Sequence, residues 1–399
     1  MIKPKLRFPE FKSDWIEKGL DELLLEAKER NFDLKYSKNE VLSVSGEYGI
    51  VNQIEHKGRS FAGVSVANYH VVKVGDIVYT KSPLKLTPYG IIKVNTGKDG
   101  IVSTLYAVYK CQETIFGLFL DYYFQLSDNT NKYLRPLVHK GAKNDMKINN
   151  SVVLKGKIFV PKQKDEQKKI ANFLMTIDTR IATLSKRLEL LEEYKKGVLQ
   201  RIFNGEIRLK DKNGKPFKKW AVVRAKDLFS SHSNKNHNGD LPILAATQEN
   251  GMVHRDSIGI EIQSSEASVK SYKLVEPGDF VISLRSFQGG IEYSEYKGIC
   301  SPAYTILKPK VEIDNHFFRF YFKKEDFITR LSQTVVGIRD GKQISYEAFG
   351  GMKLQLPSLE EQRKISRFLI SIDAKIQMAI KQLELTGQFK KGLLQNIFV

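Results

Sequence analysis

Cysteine and histidine, the side chains that most often bind metals or carry thiol chemistry, are sparse in this sequence of 399 residues. The two cysteines, Cys111 and Cys300, have no CxxC partner and no histidine at metal-binding spacing. His232 and His237 lie in the run SSHSNKNHNGD, whose serine and asparagine content is typical of a solvated loop. We therefore expect two buried, unpaired thiols and no metal site.

The motifs of several common enzyme classes are absent from the sequence. It contains no GxxxxGK[ST] phosphate loop, no [DN]PP[YF] motif of an amino-methyltransferase, no HExxH zinc helix, no GxGxxG turn, and no Pro-Asp followed by Glu-x-Lys of the common nuclease kind. We therefore expect no catalytic residue, no metal and no cofactor on this chain. Any catalysis is expected to come from a partner.

The charge of the chain favours a polyanionic partner. Its 64 Lys and Arg residues outnumber 45 Asp and Glu residues, which gives a net charge of +19. DNA, RNA and an acidic membrane surface are all compatible with this charge. No apolar run is long enough to span a bilayer, and the start, MIKPKLRFPEF, has no signal-peptide core, so we expect a cytoplasmic protein.

A repeated amphipathic segment organises the rest of the sequence. Residues 166–203, EQKKIANFLMTIDTRIATLSKRLELLEEYKKGVLQRIF, align without a gap with residues 361–398, EQRKISRFLISIDAKIQMAIKQLELTGQFKKGLLQNIF, and about half of the positions are identical. In each copy the apolar residues alternate spacings of four and three, as in the seam of a coiled coil. These seam positions are Ile170, Leu174, Ile177, Ile181, Leu184, Leu188 and Leu191, and then Ile365, Leu369, Ile372, Ile376, Ala379 and Leu383.

Each repeated segment is predicted to form one long helix. It follows a proline, Pro161 or Pro357, and contains no proline itself, so the helix would be roughly 55 Å long. The two seams can pair as antiparallel helices, which we favour, or each helix can pack on its own domain. Gly197 and Gly392 predict a break or a close crossing near the helix ends.

The globular parts of the two halves also resemble each other, more faintly. VLSVSGEYGIV (41–51) corresponds to ILAATQENGMV (243–253), VGDIV (74–78) to PGDFV (277–281), GIVSTLYAVYK (100–110) to GICSPAYTILK (298–308), and GAKNDMKI (141–148) to GIRDGKQI (337–344). These runs predict short β-strands with Gly and Asp turns, with a few helices such as 317–331. Each globular domain is therefore expected to be α+β.

The repeat also predicts the domain boundaries. A first globular domain would span 1–160, a first long helix 161–205, a linker with the second globular domain 206–356, and a second long helix 357–399. The run from Asn204 to Lys219 is rich in Gly, Asn and Lys, as expected of a link between the halves. Trp15 and Trp220 end matching lead-ins to the two domains.

On these motifs the whole chain resembles the specificity subunits of type I restriction-modification systems. The resemblance rests on the order domain, proline, EQxKI-led helix, repeated twice, with Glu166-Gln167 and Glu361-Gln362 in the EQ positions. The pairs Ile177-Asp178 and Ile372-Asp373, and the KKG runs that end at Gly197 and Gly392, complete the pattern. One departure is that the segment from Pro161 to Glu166 is one residue longer than that from Pro357 to Glu361.

The resemblance implies two target recognition domains that read an asymmetric, bipartite double-stranded DNA site, separated by a spacer of two antiparallel helices. It also implies two modification subunits that hold S-adenosylmethionine and methylate adenine, and restriction subunits that use ATP and Mg. This chain would then choose the site without catalysing a reaction. The main alternative is a stand-alone two-domain DNA-binding protein with an architectural or regulatory role, and a second is a complete enzyme whose active site carries none of the motifs above.

Equivalent turns of the two copies carry the side-chain types that read DNA. Lys and Arg suit phosphates, Arg suits guanine, and Asn or Gln suits adenine in the major groove. The candidates lie in the first hairpin, the loop after the VGDIV-like strand and the closing turn of each domain. They are Ser45, Tyr48, Lys81, Ser82, Lys143 and Asn144 in the first domain, and Gln248, Asn250, Arg285, Ser286, Gln288, Arg339 and Lys342 in the second.

Overall fold

The computed structural model of the chain describes residues 3–81, 84–138, 148–259, 266–334 and 344–398. It divides into two compact units. The first unit consists of Met1–Ser185 and Lys381–Val399, and the second of Lys186–Ile380. Each unit therefore holds one globular domain and one end of each long helix.

The first unit is built from ten short strands and four short helices among its described residues. The strands are β1 (Trp15–Gly19), β2 (Leu24–Glu26), β3 (Leu42–Ser45), β4 (Gly49–Asn52), β5 (His70–Val72), β6 (Ile77–Thr80), β7 (Ile91–Val94), β8 (Gly100–Val102), β9 (Tyr106–Cys111) and β10 (Lys157–Pro161). The helices are α1 (Gln53–Lys57), α2 (Gly117–Gln125), α3 (Ser127–Leu134) and α4 (Asn150–Val153), and the long helix α5 (Lys164–Phe203) follows.

The second unit repeats this plan. Its strands are β11 (Ala221–Arg224), β12 (Phe229–His232), β13 (Leu244–Thr247), β14 (Gly251–His254), β15 (Lys273–Val275), β16 (Phe280–Ile282), β17 (Glu292–Tyr293), β18 (Gly298–Cys300), β19 (Thr305–Pro309) and β20 (Lys353–Leu356). Its helices are α6 (Ala225–Leu228), α7 (Glu266–Val269), α8 (Ser286–Gly289), α9 (Asn315–Tyr321), α10 (Glu325–Ser332) and α11 (Tyr346–Gly351), and the long helix α12 (Leu359–Ile397) follows.

The two units share one sheet topology. A four-stranded antiparallel sheet has the order β2-β9-β6-β7 in the first unit and β12-β19-β16-β17 in the second. Each unit adds a hairpin, β3–β4 or β13–β14, and each pairs its first strand with its last, β1 with β10 or β11 with β20. In both units the described residues mix helices with short antiparallel strands, which confirms the predicted mixed α/β character with short strands.

The Gly-Asp dipeptides before β6 and β16 explain the repeated VGDIV-like motif. Gly75 and Gly278 have φ of +92° and +98°, which glycine adopts without strain. Asp76 and Asp279 each accept a backbone N–H three residues back, at 2.8 Å in both units. The dipeptide thus makes the tight turn that starts the buried strand.

The helix predicted for 317–331 is two helices, α9 and α10, so that prediction was wrong in its continuity. Lys324, between them, has extended backbone angles (φ −65°, ψ 132°). Its side chain is largely buried, and its Nζ donates to the carbonyl oxygen of Phe203 at 3.3 Å. This tertiary contact requires a bend that the apolar pattern could not reveal.

The long helices bury most of their predicted seam positions. Ile170, Leu174 and Ile177 of α5 are buried in the first unit, and Ile365, Leu369, Ile372 and Ile376 of α12 in the second. Both helices continue through Gly197 and Gly392, and a Cβ added at either glycine would meet nothing within 4 Å. The expected break or close crossing at these glycines was therefore wrong.

Among the described residues there is neither a candidate membrane-spanning helix nor a candidate metal-binding cluster. No helix there is long and apolar enough to cross a membrane. In the same part of the chain, no group of three or more His, Cys, Asp or Glu side chains could hold a metal ion.

Candidate nucleic-acid interface

The EQ motifs attach the start of each long helix to its own domain. Glu166, which is 1% exposed, accepts hydrogen bonds from Arg7 Nε at 2.7 Å, Arg7 Nη2 at 2.8 Å and Trp15 Nε1 at 3.1 Å. Gln167 accepts the backbone N–H of Phe116 at 2.9 Å and donates to the carbonyl oxygen of Pro161 at 3.0 Å. Both side chains are therefore structural rather than available to a partner.

The second unit repeats these contacts. Arg208 donates to both carboxylate oxygens of Glu361, at 3.0 and 3.2 Å. Gln362 accepts the backbone N–H of Asp314 at 2.9 Å and donates to the carbonyl oxygen of Pro357 at 2.9 Å. A bidentate Arg–carboxylate pair orients its partners strongly, so the same anchor fixes the helix start in both units.

The ID and KKG motifs form ion pairs between the ends of the two long helices. In the first unit Lys390 Nζ lies 2.5 Å from Asp178 Oδ1, and in the second Lys195 Nζ lies 2.6 Å from Asp373 Oδ1. Within the first unit Ile170 near the start of α5 packs in one cluster with Ile397 at the end of α12. The two helix segments in that unit therefore run antiparallel.

In the second unit the turn of the hairpin β13–β14 exposes the side chains of Gln248 and Asn250. Thr247 Oγ1 accepts the backbone N–H of Asn250 at 3.2 Å and donates to the carbonyl oxygen of Gly251 at 2.9 Å. Gly251 has φ of +70°, which closes the turn. The backbone is thus fixed from inside while the two amide side chains face solvent.

The turn after β16 exposes Arg285 and Gln288 but buries Ser286. Ser286 is 0% exposed, and its Oγ accepts the backbone N–H of Ser283 at 2.9 Å. The prediction that Ser286 contacts DNA is therefore not supported, because its hydroxyl closes the turn. Among the described residues, no carboxylate lies within ion-pair distance of Arg285, so its guanidinium is available to a ligand.

An ion pair with a buried carboxylate lies beneath these two turns. Lys323 Nζ donates to the carbonyl oxygens of Gln248 at 3.1 Å and Gly289 at 2.8 Å, and to Glu292 Oε2 at 2.6 Å. Glu292 is 2% exposed, and burial raises its pKa to about 7. Burial also lowers the pKa of Lys323. Sequence reasoning missed both residues.

In the first unit the corresponding hairpin turn presents Tyr48. Ser45 Oγ accepts the backbone N–H groups of Glu47 at 3.3 Å and Tyr48 at 3.1 Å, so the serine shapes the turn. Tyr48 is 60% exposed, and its ring lies 5.2 Å from that of His56. An exposed tyrosine held by its neighbours is suited to contact a partner.

The loop after β6 is more apolar than its counterpart in the second unit. Lys81 is half-buried, whereas Leu84 and Leu86 are 46% and 73% exposed. Asn131 Nδ2 donates to the carbonyl oxygen of Leu86 at 2.9 Å, which ties this loop to α3. The two units therefore present different side chains on equivalent turns.

The first unit has an ion pair at the corresponding place in the strand register, with the charges reversed on the strand. Lys93 pairs with Val78 in the register of β6 and β7, as Glu292 pairs with Val281 in the register of β16 and β17. The Nζ of Lys93 lies 3.5 Å from Asp121 Oδ2. This correspondence requires the strand register, because no shared motif includes Lys93 or Glu292.

Five candidate residues lie outside the described residues, and their DNA contacts stay predictions. They are Ser82, Lys143, Asn144, Arg339 and Lys342.

The cysteine and histidine predictions are partly confirmed. Both cysteines are free, and Cys300 is buried, but Cys111 is only half-buried. His232 lies in strand β12 rather than in a loop. His237 lies outside the strands, but its Nε2 lies 3.0 Å from the carbonyl oxygen of Tyr272, so its ring is held in place.

Comparison with known proteins agrees with this duplicated plan. Residues 217–385 match the family model of the type I restriction modification DNA specificity domain. The chain is 25% identical to the putative type I restriction enzyme MjaX specificity subunit of Methanocaldococcus jannaschii, over 98% of this chain and 94% of that protein. It is 29% identical to the MjaVIII specificity subunit of the same organism, over 58% of each protein.

Solved structures show a similar fold. The type I restriction-modification S subunit from M. genitalium superposes with a TM-score of 0.57 at 16% identity, covering 100% of this chain and 99% of that one. A chain from a study of assembly and conformational transition of the type I R-M system gives 0.56 at 16% identity, with 98% of each chain covered. With its specificity-domain match, its whole-length relative and its two copies of the motif pattern, the chain is similar to the specificity subunits of type I restriction-modification systems.

Proposed function

We propose that this chain reads an asymmetric, bipartite double-stranded DNA sequence, one half-site with each globular domain, and itself catalyses no reaction. The observation that carries this proposal is the difference between the exposed turn side chains of the two units. The same sheet order and the same buried Arg–Glu anchor support turns with different exposed side chains. Two domains with the same framework but different exposed side chains on their turns fit two different half-sites.

In the second half-site, Arg285 reads guanine, and Gln248, Asn250 and Gln288 read adenine. These pairings follow from geometry, since guanidinium and amide groups match the major-groove edges of these bases. The exposure of the four side chains supports this assignment. In the first half-site Tyr48 and Lys81 make the corresponding contacts, and exposed Leu86 suits a thymine methyl group.

The two long helices act as an antiparallel coiled-coil spacer between the domains. The buried seams and the ion pairs Asp178–Lys390 and Asp373–Lys195 support this role. Such a spacer would hold the half-sites roughly one helical turn apart on one face of the duplex.

Two modification subunits would dock on this chain, and restriction subunits would join them. S-adenosylmethionine, ATP and Mg would bind to those partners rather than here. The long helices carry exposed apolar residues at equivalent places, Leu190 and Leu385 at 51% and 53% exposure and Tyr194 and Phe389 at 53% and 57%. Two equivalent apolar patches suit two copies of one partner.

The variant Arg285→Ala tests the assignment of the second half-site. Loss of a bidentate guanine contact should cost about 1–3 kcal/mol for the cognate sequence and relax discrimination at one base pair. Binding of the purified chain, alone and with modification subunits, to duplexes with single base changes measures this effect. Discrimination in the first half-site should stay unchanged.

Arg363→Ala is the matched control, since it removes the same charge from α12, where Arg363 pairs with Glu312 at 3.0 Å. It should leave discrimination in both half-sites intact. A loss of affinity that is uniform over all sequences would make Arg285 a phosphate contact instead. A wild-type chain that shows no sequence preference, alone or with its partners, would contradict the proposed function.

A further inference from the structure

Lys323 follows α9 and has every donor of its ammonium group engaged. An ammonium has three N–H groups, and those of Lys323 bond the carbonyl oxygens of Gln248 and Gly289 and the carboxylate of Glu292. The side chain is 26% exposed. It therefore has no donor left for a DNA phosphate, although it lies directly under two turns that face solvent.

The two turns that Lys323 joins are also in direct contact. A Cβ added at Gly289 would lie 2.4 Å from Cγ of Gln248, so the glycine is required for this approach. On the other side, a Cβ at Gly251 would lie 2.5 Å from the carbonyl oxygen of Tyr293. The hairpin turn thus packs between the α8 turn and strand β17.

Glu292 fixes the ammonium from below. It lies on β17 opposite Val281, is 2% exposed, and its Oε2 is 2.6 Å from Lys323 Nζ. A charge so deeply buried is costly unless it is paired, so the position of Lys323 is defined by this carboxylate. Glu292 thus fixes the position of the Lys323 ammonium. Through it, Glu292 also fixes the positions of the two carbonyl groups and of the turns that carry them.

Building on the proposed DNA function, we propose that Lys323 is a positioning residue for the second half-site. Its ammonium bonds the carbonyl oxygens of Gln248 and Gly289 and the carboxylate of Glu292. It thereby sets the distance between two turns. The first carries Gln248 and Asn250, and the second carries Arg285 and Gln288. Base readout by both turns at once then depends on an ammonium that does not touch DNA. Preorganised contacts of this kind must be held within fractions of an ångström by their supporting residues.

The double variant Lys323→Met/Glu292→Met tests this role without leaving a buried charge unpaired. Replacing both members of a buried pair by apolar side chains of similar shape is close to neutral for stability. The carbonyl oxygens of Gln248 and Gly289 then face an open cleft of about 690 Å³, from which solvent can reach them. The thermal unfolding midpoint should therefore stay close to that of the wild type, while discrimination at the second half-site falls at least tenfold.

Arg319→Met is the matched control. Arg319 is a cation of α9 that, like Lys323, lines this cleft, but its Nη1 pairs with Glu295 at 2.6 Å rather than with either turn. It should leave discrimination unchanged. The readout is the affinity of the full chain for duplexes with single base changes in one half-site at a time.

The expected result is a loss confined to the second half-site in the double variant. Unchanged discrimination there, or an equal loss at both half-sites, would overturn the positioning role of Lys323. In either case the wild-type chain would still distinguish its bipartite site, so the proposed function would stand. Only a wild-type chain without sequence preference would contradict the function itself.

Discussion

Arg285 and Ser286 are neighbours in the chain, yet burial gives them different roles. The sequence placed both on one turn, and it could predict that an arginine there would be exposed. It could not predict that Ser286 would be 0% exposed, because that depends on a hydrogen bond to the backbone of Ser283. A serine in a turn can face solvent or close the turn, and only the fold decides.

Lys323 and Glu292 show a second limit of sequence reasoning. Lys323 follows the end of α9 and Glu292 lies on β17, and no motif links them. The pair can be found only once the strand register is known, because Glu292 then occupies the place of Lys93 in the first unit. A search for shared motifs could not show that these two buried strand residues, Lys93 and Glu292, carry charges of opposite sign.

His70 predicts a pH dependence of the first unit. It is 3% exposed on β5, its Nδ1 has no hydrogen-bond partner among the described residues, and burial together with Arg30 lowers its pKa to about 4. The unfolded chain, with a pKa near 6.5, binds the proton more tightly, so stability is present above pH 6.5 and is lost as the pH falls towards 4. Between pH 7.5 and 5 the loss attributable to His70 should be about 2 kcal/mol.

Urea unfolding of a Trp220→Phe chain measures this, because Trp15 in the first unit is then the only tryptophan. His70→Leu in the same background keeps all other titrating groups, so the difference in slope between the two chains isolates His70. If the free energy of unfolding had the same pH dependence in the Trp220→Phe chain with and without His70→Leu, His70 would not be buried as a neutral group.

At the scale of elements, the long helices were predicted well because their signal is local. Apolar spacing identified the seam, and the EQ, ID and KKG motifs marked residues that proved to be anchors and ion pairs. The bend between α9 and α10 was missed because it depends on Lys324 reaching Phe203, which is distant in sequence. Local periodicity cannot report such a contact.

The helix glycines give a test of continuity. Because α5 is regular through Gly197 and an added Cβ meets nothing within 4 Å, Gly197→Ala should stabilise the helix by about 0.5–1 kcal/mol. Native-state hydrogen exchange of the amides around residue 197 should slow about two- to fivefold.

Gly117→Ala is the control for that substitution. There an added Cβ would lie 3.0 Å from Cys111 Sγ and 3.2 Å from Val94 Cγ2, so crowding should cancel the gain in helix propensity. Faster exchange in Gly197→Ala would restore the break or close crossing that the sequence predicted.

At the scale of the whole molecule, the repeat predicted two α+β domains and two long helices, and the described residues agree. The same reasoning could not give the bases that are read. Base choice depends on a few exposed side chains and on DNA shape, and one turn geometry can carry different readers. Five of the thirteen candidate readers, moreover, lie outside the described residues.

The central claim is that two domains with the same framework but different exposed turn side chains read two different half-sites. The direct measurement is selection of duplexes from a random pool by the purified chain, with and without modification subunits, followed by sequencing. The account predicts two short, unlike sequence blocks separated by a gap of fixed length without base preference. A single uninterrupted site, or two blocks that form a palindrome, would contradict it.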